Sequence, residues 1–317
     1  MAVLEFERPL RELEENLSRL RNAAEAVDPG ELEALEAKAR ALRAQLYGDL
    51  GAWDKVQLSR HPDRPYTLDY LQRLTEDFVE LHGDRLYSDD HAIVGGLARF
   101  RGRSVMVVGH QKGRGVKDAM HRNFGMPHPE GYRKSRRLME LAGRFGRPVL
   151  TFIDTPGAYP GLGAEERGQS EAIGQALATM ATLPVPIIAV VIGEGGSGGA
   201  LALGLANRVL MLEYATYSVI SPEGCASILW KDGSRAADAA VALRITAEAQ
   251  RHFGIVDEVI AEPEGGAHRD HDDAALRVGD ALERHLRALE SRRPENLCHE
   301  RYERFRKLGR YTAGDPE

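Results

Sequence analysis

At 317 residues, 43% of them hydrophobic and 28% charged, the chain holds enough apolar material for a sizeable core in one large domain or two. A net charge of −6 gives no general reason to expect a nucleic-acid partner, and no apolar run is long enough to span a membrane. The two cysteines, Cys225 and Cys298, supply neither a disulfide framework nor a zinc quartet, so a reducing cytoplasm is the expected compartment and no metal is expected in this chain.

The start, Met1 to Glu7, lacks the basic opening and apolar stretch of a signal peptide. Two helices are predicted next. Leu13, Leu17 and Leu20 line one face of the first; Leu32, Leu35, Ala39, Leu42 and Leu46 repeat at helical spacing in the second. Asp28-Pro29-Gly30 marks the turn between them. So narrow an apolar stripe must be buried, either on the rest of this chain or on a partner subunit. Residues 1–60 are therefore read as an N-terminal helical hairpin region, and 61–317 as the main domain with a C-terminal helical extension.

Beyond the proline-containing segment His61–Pro65, strand and helix alternate. Ile93–Phe100 and Val105–Gly109 read as strands around an Arg101-Gly102-Arg103 turn. Helices are predicted over Glu130–Phe145 and Glu165–Met180. The short β-branched runs Val149–Ile153, Ile187–Ile192 and Val209–Leu212 look like strands covered on both faces, which makes the fold α/β with crossover connections. From Pro263 to Asp273 the chain turns polar and reads as a solvated loop. His268, Asp270, His271, Asp272 and Asp273 within it are of metal-ligating type, but the segment's polarity favours a plain exposed loop.

Charge is uneven. Between Arg99 and Arg147, 13 lysines and arginines stand against three acids, a local net of +10, densest at Arg133, Lys134, Arg136 and Arg137. Such a helix on an acidic protein is expected to face an anion: a phosphate-bearing substrate, a carboxylate or an acidic partner.

Two glycine loops follow predicted strands, where open α/β folds place their ligands. The first is Phe152-Ile-Asp-Thr-Pro-Gly-Ala-Tyr-Pro-Gly161; the second, Gly193-Glu-Gly-Gly-Ser-Gly-Gly199, holds five glycines in seven residues. Because Ala200–Ala206 reads as a helix, this second turn presents free N–H donors at a helix start, an anion-binding arrangement. Three chemistries compete for it. Gly193, Gly195 and Gly198 fit a dinucleotide fingerprint, with Glu213 as the ribose acid, but the helix is very short. Gly195-Gly-Ser-Gly-Gly199 fits a nucleophile elbow, making Ser197 a hydrolase nucleophile with Asp257 and His268 as partners in poor context. The third is an oxyanion hole of backbone amides, where each donor is worth about 3–4 kcal/mol in the transition state. It explains the excess glycine best, since side chains would block approach.

Val191–Leu201, Thr216–Trp230, Phe152–Gly161 and His121-Arg-Asn-Phe-Gly-Met-Pro127, in that company, resemble the α-subunit family of acetyl-CoA carboxylase carboxyltransferases, and the likeness runs to about Arg310. The resemblance implies a ClpP/crotonase-like fold of ββα superhelical units. It also implies transfer of a carboxyl group from carboxybiotin, borne on a biotin carboxyl carrier protein, to acetyl-CoA, giving malonyl-CoA for fatty-acid synthesis. The partners implied are a zinc-bearing β subunit in an α2β2 heterotetramer, the carrier protein, and a separate biotin carboxylase that alone uses ATP. On this reading the N–H groups of Gly198 and Gly199 stabilise the biotin enolate. Gly195, Gly196 and Ala200 let the backbone approach the substrate, Gly157, Ala158 and Gly161 shape the neighbouring wall, and the basic helix faces CoA or the carrier.

Overall fold

The computed structural model describes residues 4–22 and 29–309. Helices α1 (Arg8–Asn22) and α2 (Pro29–Gly48) form the predicted hairpin; Asp28 of its turn lies outside the described residues. Leu10 and Leu17 of α1 and Ala39 and Tyr47 of α2 share a core with Leu58 and Tyr214 of the same chain. The stripe thus packs on its own chain, with Leu13, Leu32, Leu35, Leu42 and Leu46 partly buried around that core. Two short helices, α3 (Ala52–Ser59) and α4 (Thr67–Leu74), lead into the sheet.

The strands are β1 (Thr75–Glu80), β2 (Ile93–Phe100), β3 (Arg103–His110), β4 (Val149–Thr155), β5 (Ile187–Gly196), β6 (Arg208–Leu212), β7 (Thr216–Ser218) and β8 (Glu258–Ile260). The helices between and after them are α5 (Gly115–His121), α6 (Pro129–Arg144), α7 (Leu162–Glu166), α8 (Gln169–Thr182), α9 (Ser197–Gly204), α10 (Pro222–Trp230), α11 (Ala236–Ala242), α12 (Ala247–His252), α13 (His271–Glu290) and α14 (Pro294–Arg306). The single sheet runs β1-β2-β3-β4-β5-β6-β8. β1, β2 and β3 pair antiparallel; β3, β4, β5, β6 and β8 pair parallel. Strand–strand–helix units recur, as β2 and β3 with the helices after them, and as β6 and β7 with α10. Every residue of β4 is buried, as its unbroken apolar run requires when helices cover both faces.

Three boundaries differ from the sequence reading, each for a local reason. The helix predicted over Glu165–Met180 is two helices, because Gly168 takes φ +82 between α7 and α8. β5 does not stop at Ile192. It runs on to Gly196, and a register shift against β4 (Ile153 opposite Val191, but Thr155 opposite Gly195) bulges the strand between. Beyond the bulge β5 leaves β6 and pairs its last residues, Glu194–Gly196, with β7. Third, Pro263–Asp273 is not a solvated loop: Gly265, Gly266, Ala267 and His268 are buried, and Asp270 caps α13 by accepting from the amides of Asp272 and Asp273. Among the described residues no helix is long and apolar enough to cross a membrane.

Candidate functional site

The site is built where β5 ends and α9 begins. Gly196 is the residue before the helix and offers no side chain to cap it. The first amides of α9, those of Ser197, Gly198 and Gly199 with Ala200 behind them, have no acceptor within the helix. They also carry the positive end of its dipole. Ser197 sits at φ +51, a left-handed conformation that turns strand into helix within one residue. Gly196, Ser197 and Gly198 are half-exposed, whereas Gly195, Gly199 and Ala200 are buried.

The first glycine loop lies against this helix start. A Cβ on Gly199 would stand 2.7 Å from the Gly157 carbonyl carbon and 2.8 Å from the Ala158 amide nitrogen, so backbone meets backbone there. A Cβ on Gly196 would overlap the Pro156 carbonyl. Gly157 has φ +153, and its own amide is taken by Thr155 Oγ1 at 3.0 Å. Gly161 starts α7, and Ala158 is half-exposed beside it. The backbone at Gly157 and Ala158 therefore adjoins Gly199. Gly195 is buried, with a would-be Cβ 2.6 Å from the Tyr217 ring, so the close approach of β7 also requires glycine there. The motif His121–Pro127 braces the same wall, since Pro127 O accepts from Tyr159 N at 3.0 Å and from Gln169 Nε2 at 2.9 Å.

Sequence reasoning missed the charged support beneath the turn. Asp154, at the end of β4, accepts the Glu194 amide at 2.9 Å, replacing a strand acceptor lost at the bulge. Lys112, just past β3, places Nζ 2.8 Å from both Asp154 Oδ1 and Glu194 Oε2. Arg60 grips Glu194 Oε1 at 2.6 Å and reaches on to Glu223. Arg64, 1% exposed and paired with Glu262, donates to Ile192 O at 2.7 Å, the carbonyl freed at the bulge. Burial works against the charge on Lys112, but the two carboxylates outweigh it and hold the ammonium above its ordinary range. Burial likewise raises Glu194, yet Lys112 and Arg60 bring it below a normal carboxylate. His110, also buried, is pushed down to about 3, so it is neutral behind Gly199. The only hint in the sequence is a lone charge after each of three apolar runs.

The basic helix is otherwise employed. Lys134 is wholly buried, with Nζ 2.6 Å from Asp89 Oδ1 and 2.7 Å from Asp90 O. Arg133 pairs with Asp84 at 3.0 Å and Glu130 at 2.9 Å, and Arg137 donates to the carbonyls of Leu81, His82 and Gly83. These three cations hold the segment before β2 in place, and Arg136, paired with Glu140, is near two-fifths exposed. The expectation of an outward-facing anion patch is corrected accordingly.

The two other sequence candidates also come apart. His271 binds Asp63 O at 2.7 Å and Asp270 is a helix cap, so these residues are engaged separately. His268 instead meets Glu7 and His61, their ligand atoms within 4.8 Å of one another. Glu7 also ties the N-terminal hairpin to this region: its Oε1 accepts from Tyr47 at 2.5 Å and from the Arg269 guanidinium at 3.2 Å. As for a hydrolase, Ser197 has the elbow's backbone but not its partners. His268 is stacked on His61, and Asp257 holds the Val209 amide at the amino end of β6, the opposite end of the strands from Ser197.

The family model "Acetyl co-enzyme A carboxylase carboxyltransferase-like" matches residues 3–309. A protein of Sorangium cellulosum called acetyl-coenzyme A carboxylase carboxyl transferase subunit alpha is 61% identical over 315 residues, 98% of this chain and 99% of that protein. The protein of the same name from Geobacter metallireducens is 56% identical over 98% of each. Among solved structures, a Pseudomonas malonate decarboxylase hetero-tetramer in complex with coenzyme A aligns with TM-score 0.60 at 17% identity, over 74% of this chain and 91% of that one. Transcarboxylase 12S aligns with TM-score 0.56 at 23% identity; 73% of this chain spans 43% of that one. These structural likenesses establish the crotonase-like α/β fold.

Proposed function

Since the chain belongs to the acetyl co-enzyme A carboxylase carboxyltransferase family, we propose that its glycine turn is one half of a carboxyltransferase site. The chain is the α subunit of acetyl-CoA carboxylase's carboxyltransferase and acts within a multi-subunit, biotin-dependent enzyme. It transfers the carboxyl group of carboxybiotin to acetyl-CoA, forming malonyl-CoA in the first committed step of fatty-acid synthesis. A β subunit completes the α2β2 assembly and brings the thioester, a carrier protein brings carboxybiotin, and biotin carboxylase charges that carrier with ATP elsewhere. The compartment is the cytoplasm.

One observation carries the site: uncapped amides at the start of α9 stand beside a second backbone loop with no Cβ between them. Negative charge grows on the ureido oxygen of biotin as its carboxyl group leaves. The N–H groups of Gly198 and Gly199 donate to that oxygen, and the α9 dipole adds to their effect. The two loops are packed backbone against backbone, so the donors need little reorganisation when charge appears. Gly157, Ala158 and Gly161 bound the ureido ring on one side. On this reading no acid or base from this chain is required at the reacting atoms, which suits a site made of glycine.

The test is turnover of malonyl-CoA in the presence of biotin by the purified α and β subunits. Biotin-dependent decarboxylation is expected; its absence from a correctly assembled pair would overturn the reading. A fluorophosphonate should leave Ser197 unlabelled, and Ser197→Ala should keep most of the activity. Labelling at Ser197 would instead restore the hydrolase.

A further inference from the structure

We propose that Lys112 is the positioning residue of the site, the side chain that fixes the two glycine loops relative to each other and so places the amides of Gly198 and Gly199. This inference rests on the carboxyltransferase reading. Its ground is that one side chain touches all three loops of the site. Nζ lies 2.8 Å from Asp154 Oδ1 in the Phe152–Gly161 loop and 2.8 Å from Glu194 Oε2 in the Gly193–Gly199 turn. Its aliphatic stem passes under Gly125 of the His121–Pro127 motif, where a Cβ would stand 2.6 Å from Lys112 Cγ. Gly125 has φ +76 at that point, so both its conformation and its closeness to the stem require glycine.

The bulge in β5 explains why a charge is needed there. Between Val191 and Gly195 the strand carries more residues than the β4 segment opposite, so ladder hydrogen bonds are lost. The Glu194 amide recovers an acceptor only from the Asp154 carboxylate, which is 1% exposed as a residue. A buried carboxylate with no counter-charge is costly, and a second carboxylate, Glu194, lies across the same ammonium. Of these two acids Arg60 pairs with Glu194, its other partner being Glu223. Lys112 is therefore the shared cation of Asp154 and Glu194. Without it the two acids repel, Asp154 loses its hold on the Glu194 amide, and the bulge relaxes three residues before Ser197.

A displacement of about 1 Å at donors of this kind costs on the order of a hundredfold in rate. Lys112 touches no substrate, so the loss belongs in kcat. The experiment compares Lys112→Met, Lys112→Arg, Asp154→Asn and the double variant Lys112→Met with Asp154→Asn, each assembled with the β subunit and assayed by biotin-dependent malonyl-CoA decarboxylation. Lys112→Met is expected to lower kcat by about a hundredfold with KM for malonyl-CoA within about threefold of wild type. The double variant should recover at least about tenfold of that loss, because the neutral carboxamide of Asp154→Asn still accepts the Glu194 amide and needs no cation. Lys112→Arg should lie between. A Lys112→Met enzyme within threefold of wild-type kcat would overturn the proposal. So would a double variant no better than the single one, including the case where Lys112→Met does not fold and the double variant folds but stays inactive. An inactive wild-type pair would sink the carboxyltransferase reading instead, so the two failures are told apart.

Discussion

Two regions of the sequence promise to hold an anion, and the fold uses them in opposite ways. The helix around Arg133–Arg137 carries formal charges and spends them indoors: Lys134 on Asp89, Arg133 on Asp84 and Glu130, Arg137 on three carbonyls. The turn Gly193–Gly199 carries one formal charge, on Glu194, and that too is neutralised below. Yet the turn is the part left able to bind. A long cation can fold back on a neighbouring carboxylate, and burial favours doing so once a partner exists. A backbone amide at a helix start has no such freedom, and with no side chain at Gly196 or Gly198 the turn cannot cap itself.

The largest expected effect therefore falls on the turn. Gly199→Val should reduce biotin-dependent turnover by about a thousandfold, since its side chain must displace the Gly157–Ala158 backbone that adjoins the amides. Decarboxylation assays on the assembled pair check this, with co-purification of β as the control for assembly. Turnover close to wild type would show that the turn is not where charge develops.

Lys134→Met comes next and should act on stability alone. It leaves Asp89, whose carboxyl is held well below the usual range, without its ammonium; the loss is about 3 kcal/mol. The sign with pH follows. Burial raises Asp89, but Lys134, the Gly83 amide and His82 lower it further, so the pair stabilises above the unfolded carboxyl's value of 3.8 and fades as pH falls below it. Denaturant titrations of both proteins at neutral pH and at about pH 3 should show the gap closing, with KM for malonyl-CoA unchanged at neutral pH. A raised KM with unaltered stability would return the helix to the role of an anion patch.

Gly198→Ala refines the first comparison from within. Its Cβ would meet only Ile173 Cδ1, at 3.5 Å, and the amide survives, so turnover should stay within about tenfold and stability should hold or rise slightly. A loss as deep as that of Gly199→Val would mean the substrate presses against the Gly198 α-carbon itself.

How much of this was legible in the sequence depends on range. The ends of β2 and the start of β4 followed from β-branched runs and a local turn. β5 was cut short because the glycines around Glu194, namely Gly193, Gly195 and Gly196, have no strand preference; only pairing with β7 makes them a strand. Segments such as Thr75–Glu80, half-exposed and acidic, and the three-residue β7 and β8 carry too little pattern to read. At the site, glycine density announced the amides. Lys112, Asp154 and Glu194 could not be grouped, since they meet only when β3, β4 and β5 align in parallel. The polar stretch Pro263–Asp273 misled for a related reason. Much of its polarity is spent on other parts of the chain: Glu262, just before it, accepts the Ala267 amide and pairs with Arg64, and Arg269 pairs with Glu7 and Glu14 of the N-terminal hairpin.

The smallest effect is expected at Arg136, and it tests whether any of the basic helix still looks outward. Its Nε lies 2.8 Å from Glu140 Oε1, one turn along the same helix, with both side chains near two-fifths exposed. An exposed pair of this kind is worth about 0.3–0.5 kcal/mol and is screened further by salt. Arg136→Glu puts like charges at that spacing, so unfolding free energy should fall by less than about 1 kcal/mol and KM for malonyl-CoA should not move. The carrier protein is the sharper probe. An acidic carrier steered by this face would lose association rate on charge reversal, and more so at low ionic strength. Equal rates for wild type and Arg136→Glu across a salt series would leave the glycine turn as the anion site of the pair; a salt-dependent gap would give the helix one outward cation after all.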